Sequence, residues 1–155
     1  MTSYGEITIK NHKKYNKKIM FLIFNECDIT DENIVEKLIV DYHKVIEENP
    51  GISSIVDARS VKSCSKTLAF SKAKTLKRYD EIVRKNLISM SIMLDNPILK
   101  LLLDAVTKVH KFIVPTKIVK DNKSAMDFVV SQFNGIFNFN LKIKINHEDV
   151  LFSIE

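Results

Sequence analysis

DENIVEKLIVDYHKVIEENPGISSIVD, residues 31–57, passes from one hydrophobic periodicity to another within a few positions. Thr30, followed by Asp31 and Glu32, reads as an N-cap with acids in the first turn, where they favour the positive end of a helix dipole. Ile34, Val35, Leu38, Ile39, Tyr42, Val45 and Ile46 recur at spacings of three and four, which predicts an amphipathic helix over 31–48 with one apolar stripe. Asn49-Pro50-Gly51 ends it, and ISSIVD (52–57) restarts as a short strand.

The same alternation extends in both directions. Upstream, YGEITIK (4–10) sets Tyr4, Glu6 and Thr8 against Gly5, Ile7 and Ile9, the period of a half-buried strand, and IMFLIF (19–24) is continuously apolar, as in a strand covered on both faces. The two predict a hairpin across the polar NHKKYNKK. Downstream, Leu68, Ala69, Ala73, Leu76, Tyr79, Ile82 and Val83 place a helix over 64–85, and LISMSIML (87–94) is a further strand. Asp95-Asn96-Pro97 supplies a cap with proline at the first position of a helix, which then runs to Phe112 and is so apolar that it reads as mostly buried. TKIVK (116–120) is a fifth strand, and Asn122 or Ser124 caps a last helix bearing Ala125, Phe128, Val129 and Phe133. The order ββαβαβαβα predicts an α/β fold, a five-stranded mixed sheet with about four helices on both faces, over residues 1–134. In the extension, residues 135–155, Phe137, Phe139, Leu141, Ile143 and Ile145 alternate with polar residues, which predicts a C-terminal β-ribbon whose apolar face needs a cover and is a candidate for self-association.

Composition narrows the function classes. The chain has 155 residues, 45% apolar and 28% charged, with three Gly and three Pro, as expected of one domain with long elements and short connections. No apolar run approaches the roughly 20 residues that span a bilayer and the N-terminus lacks a signal-peptide core, which predicts a cytoplasmic protein without a transmembrane segment. Cys27 and Cys64 stand apart and read as free thiols, and the four histidines sit at no metal-ligand spacing, so no metal and no cofactor are expected. Charge is uneven: residues 59–86 carry nine Lys/Arg against Asp80 and Glu81, while residues 31–49 carry six acids against two lysines. Lys66, Lys74, Lys77 and Arg78 form a basic helix face and a candidate interaction surface. The basic run has no Trp and only three arginines for bidentate contacts to bases, which argues against nucleic acid as the partner.

The hairpin GEITIK/IMFLIF, the stretch DITDENIVEKLIVDYHKVIEENPGISSIVDARSV, LISMSIML with the helix after it, and TKIVKDNKSAMDFV together resemble the sulphate-transporter and anti-sigma-factor-antagonist (STAS) domains, in particular the SpoIIAA-like branch that shares its fold with CRAL-TRIO lipid-binding domains. The resemblance covers about residues 4–133. It implies a non-enzymatic regulatory module that binds a protein partner or itself, or a domain with a cavity for a lipid or other apolar ligand. In antagonist members a serine follows the aspartate-ended third strand at the start of the second helix. The matching stretch here is ISSIVD with Asp57, followed by SVKSCSKT, so Ser63 and Ser65 are the candidate phosphorylation sites, although the family's Asp-Ser-Ser-Gly signature is absent.

Catalytic patterns are missing: there is no G-x-S-x-G elbow, no Gly-rich phosphate loop, and no histidine near Cys64 or Ser65 in sequence. Ser63 and Ser65 also suit a plain helix cap, Asp57 a loop cap, and His110 the edge of a core. Met90, Met93 and Met126 with Phe112 and Phe128 would give a core soft enough to admit a lipid tail. The expectation is therefore a protein-interaction module, self-associating through the ribbon, with an apolar-ligand binder as the alternative.

Overall fold

Alternating side chains build the N-terminal hairpin as expected. β1 (Gly5–His12) runs antiparallel to β2 (Lys17–Phe24), with Gly5 opposite Phe24 and His12 opposite Lys17. Gly5 lies so close to its partner that a Cβ there would stand 2.5 Å from the carbonyl oxygen of Ile23. The structure, a computed structural model, describes residues 3–141. After β2 come β3 (Cys27–Ile29), α1 (Glu32–Glu48), β4 (Ile52–Asp57), β5 (Val61–Cys64), α2 (Lys66–Thr75), a 3-10 turn (Leu76–Tyr79), α3 (Asp80–Asn86), β6 (Leu87–Met93), α4 (Pro97–Thr107), β7 (Thr116–Val119) and α5 (Asn122–Leu141). The main sheet has five strands in the order β1-β2-β4-β6-β7, parallel from β2 onward. The expected mixed α/β sheet is therefore present.

Local differences have local causes. The α1 cap is Asp31, one residue after the expected Thr30: its Oδ1 accepts from the amides of Asn33 at 2.9 Å and Ile34 at 3.1 Å. Likewise Asp121, not Asn122 or Ser124, opens α5, accepting from Ser124 N at 2.7 Å. β3 and β5 form a small parallel sheet of their own that the sequence did not suggest, because CDI and VKSC are too short and too polar to show a period. The helix expected over 64–85 is broken into α2 and α3 by the 3-10 turn, which lets α2 lie along α4 while α3 packs on α1 and β6. α4 stops at Thr107, well short of Phe112, and residues 108–115 carry the chain round to enter β7.

α5 continues through Gly135 to Leu141, past the expected end at 133. Phe137, Phe139 and Leu141, assigned from the sequence to the ribbon, fall within this helix. Ile143 and Ile145 lie outside the described residues.

The two faces of the sheet are packed differently. On one, Ile19, Ile55, Met93 and Val119 meet Ala125, Val129, Val130 and Phe133 of α5. Ser53, Ser89 and Ser91 are fully buried beneath that helix. Their small side chains allow close approach, and Ser91 Oγ donates to the Ala125 carbonyl at 2.9 Å, satisfying a hydroxyl that would otherwise be costly to bury. On the other face, α1 to α4 pack on the sheet in two clusters, Met20, Ile46, Ile52 and Leu87 in one and Val61, Ile92, Leu94 and Leu99 in the other, and leave part of the space beneath them unfilled.

Candidate functional site

The unfilled space is a cavity of about 380 Å³. Its floor comes from the alternate positions of the strands that point away from α5, Leu22 and Phe24 of β2, Val56 of β4 and Met90 of β6. One wall is the apolar stripe of α1, with Val35, Leu38, Ile39 and Tyr42. Ala73, Leu76 and Val83 of the α2–α3 segment form a second wall. Leu103 and Val106 of α4, with Phe112, Ile113 and Val114 after it, form the roof. The amphipathic period of α1 thus does its usual job of turning one side inward, but part of that side meets space instead of side chains.

The polar groups that reach the cavity are already engaged. Tyr4 Oη accepts from the amides of Thr30 at 3.0 Å and Asp31 at 2.8 Å. Tyr42 Oη donates to Ser54 Oγ at 2.8 Å, and burial pushes its pKa up to about 12, so it stays a neutral phenol. Burial holds the His43 imidazole below its ordinary value; as a neutral ring it donates from Nδ1 to the Ile39 carbonyl at 2.7 Å and stacks on Tyr79 with centroids 3.9 Å apart. Thr107 Oγ1 donates to the Asp104 carbonyl at 2.8 Å. Burial raises the Cys64 thiol above its usual range, leaving it a weak nucleophile. His110 Nε2 and Asp80 Oδ1 meet at 2.7 Å and tie the end of α4 to α3. A ligand here would find hydrocarbon on nearly every side, and a buried polar group on it would go unpaired.

Of the residues singled out from the sequence for an apolar ligand, Met90 and Phe112 line the cavity, whereas Met93 and Met126 pack on the α5 face. Phe128 is on α5 too. Histidine 110 is a core-edge residue as its place suggested, but its pairing with Asp80 comes from the fold. The α1 and α4 wall residues were legible as helix stripes, and nothing in their spacing distinguished a stripe that packs from one that lines a cavity.

The other candidates are dispersed. Ser65 is the N-cap of α2 and its Oγ accepts from Leu68 N at 3.2 Å. Ser63 is exposed on β5 and donates to Asp28 Oδ1 at 2.6 Å, beside a carboxylate that would repel a phosphate. Asp57, at the end of β4, is gripped by Arg59, whose Nε and terminal nitrogen donate at 2.9 Å and 2.8 Å; that hydrogen bonding holds the carboxyl below the usual range. Lys66, Lys74 and Lys77 are exposed, but Arg78 reaches back to Glu36 of α1. Cys27 and Cys64 are free thiols. Among the described residues no three His, Cys, Asp or Glu side chains gather to hold a metal ion, and no helix is long and apolar enough to cross a membrane.

Comparison with known proteins agrees with the architecture. The crystal structure of an uncharacterized protein from the DUF3478 family with a SpoIIAA-like fold, from Shewanella loihica PV-4, superposes with a TM-score of 0.50 at 13% identity, over 83% of this chain and 97% of that one. The likeness establishes a SpoIIAA-like fold, as the sequence resemblance implied. No curated protein matches the sequence. The family model of DUF7793, a domain of unknown function, matches residues 14–133, and the chain belongs to that family.

Proposed function

We propose that this STAS-like module is non-enzymatic and holds an apolar ligand, a single hydrocarbon chain, between its sheet and helices α1 to α4. The carrying observation is the cavity itself: about 380 Å³ of space whose polar neighbours are already hydrogen-bonded. Ligand sites typically enclose roughly 300–1,000 Å³ and are mostly apolar. A methylene occupies about the share of a water molecule in its liquid, roughly 30 Å³, so the space suits a chain of about a dozen carbons. A protein of this size does not ordinarily leave such a void in a core packed at crystal density. Protein binding through the basic face has less support, since Arg78 is engaged within the domain and the proposed self-association ribbon finds no strand in the part of it that the structure describes.

Native mass spectrometry of protein purified without organic solvent is expected to show an adduct that solvent extraction removes. Titration of the extracted protein with a fluorescent fatty acid is expected to saturate, and Val106→Trp, which places an indole in the cavity, to weaken that binding at least about tenfold by displacing buried methylenes. A cooperative melt of the variant would show that it still folds. A bare polypeptide mass together with no saturable uptake would sink the reading.

A further inference from the structure

The helix that roofs the cavity carries a second apolar stripe on its outer side. Ile98 and Leu101 are 72% and 70% exposed, the highest values for large apolar side chains among the described residues, and Leu99 is the buried residue of α4. The sequence expectation of a mostly buried helix is thus overturned: α4 is apolar on two sides, its inner side divided between the cavity, at Leu103 and Val106, and a packed cluster of Leu99 with Val61, Ile92 and Leu94. Val109 and Phe112, after the helix, are each 38% exposed. Phe112 also lines the cavity, so at the end of this stripe a single side chain separates the cavity from the surface.

The charges around the stripe are mostly positive: from residue 95 to 120 the chain holds five lysines against two acids, Asp95 and Asp104, both exposed. Lys100, Lys108 and Lys111 are exposed alongside Ile98, Leu101, Val109 and Phe112. We infer that α4 and the segment to Phe112 dock on an anionic lipid bilayer, and that the cavity's ligand is an acyl chain taken from that bilayer. The second part rests on the reading of the cavity as a ligand site. Exposed apolar groups together on one surface mark an interaction site. Lysine is depleted in protein interfaces, which disfavours a protein as the cover, whereas at a membrane lysine stems lie along the apolar side chains while their ammonium groups reach anionic headgroups. An α-helix with its side chains is roughly 10–12 Å across, so a chain leaving the bilayer beside α4 has a short path to Leu103 and Val106 on its inner side.

The test is co-sedimentation of the full chain with vesicles of phosphatidylcholine alone or mixed with phosphatidylglycerol. Binding to the mixed vesicles is expected, at least about tenfold stronger than to phosphatidylcholine alone, because the lysines contribute only where the surface is anionic. The double variant Ile98→Glu, Leu101→Glu should lose vesicle binding yet take up a fluorescent fatty acid from solution like wild type, since neither residue lines the cavity. Failure of the wild type to bind mixed vesicles, or equal binding by the double variant, would overturn docking. So would light scattering that shows a dimer which the double variant dissociates, with no vesicle binding, since a second copy would then be the cover. Vesicle binding by a wild-type chain that takes up no fatty acid would overturn the acyl-chain half and the cavity reading, while supporting the docking surface.

Discussion

Ser63 and Ser65 stand two positions apart and have opposite surroundings. The first donates to a carboxylate and the second accepts from the amide of Leu68 at the start of α2. The cap explains Ser65 without any modification: an unpaired amide at a helix N-terminus needs an acceptor, and a serine oxygen supplies it. Ser65→Ala is expected to lower stability by about 1 kcal/mol, and Ser65→Gly by only a few tenths. Urea denaturation at neutral pH measures both, and an unchanged midpoint in the alanine variant would count against the cap. Asp57 is a similar case, a carboxylate at the end of a parallel strand, where α/β proteins place reactive groups, that here is committed to Arg59.

Between elements, the uneven charge of the sequence resolves into a contact. The acidic helix α1 lies beside the basic α2–α3 segment, and Glu36 accepts from Lys72 at 2.8 Å and from Arg78. The hydrogen bond from Lys72 is the main cause that holds the Glu36 carboxyl below its ordinary value. A group with a depressed folded pKa stabilises the fold fully above its unfolded value, roughly 4.3 for glutamate, and loses that contribution as pH falls through the lower folded value. Glu36→Gln should therefore cost roughly 1 kcal/mol at pH 7 and low salt, allowing for solvent screening. The difference from wild type should shrink in strong salt and vanish in acid below the folded value. Thermal melts over pH and salt measure it, and a cost that persists unchanged in acid would mean that packing, not charge, is responsible. The same pairing reduces the surface charge that the sequence appeared to offer a partner.

At the scale of the whole molecule, one sheet has two unlike sides. Buried serines and Ala125 bring α5 tight against the first, while the second keeps its cavity beneath α4. Local stability should follow: in hydrogen–deuterium exchange the amides of α4 are expected to exchange well ahead of those of β4 and of Ala125–Phe133, and a fatty acid should slow α4 selectively. Equal protection of α4 and β4 in the extracted protein would contradict this account. Much of the architecture was legible in the chain. The hairpin, the α1 stripe, ISSIVD, LISMSIML and the Asn96-Pro97 start are local patterns, because backbone period and capping are set by neighbours a few residues apart. The cavity was not, because Val35, Leu38 and Val106 have the same spacing whether they touch another side chain or empty space. Nor was the exposure of Ile98 and Leu101, since apolarity on two sides of a helix reads as burial until its neighbours are placed. Sequence by itself determined which elements form and in what order; the tertiary structure decided which apolar faces close on each other and which remain open, since that depends on distances between segments far apart along the chain.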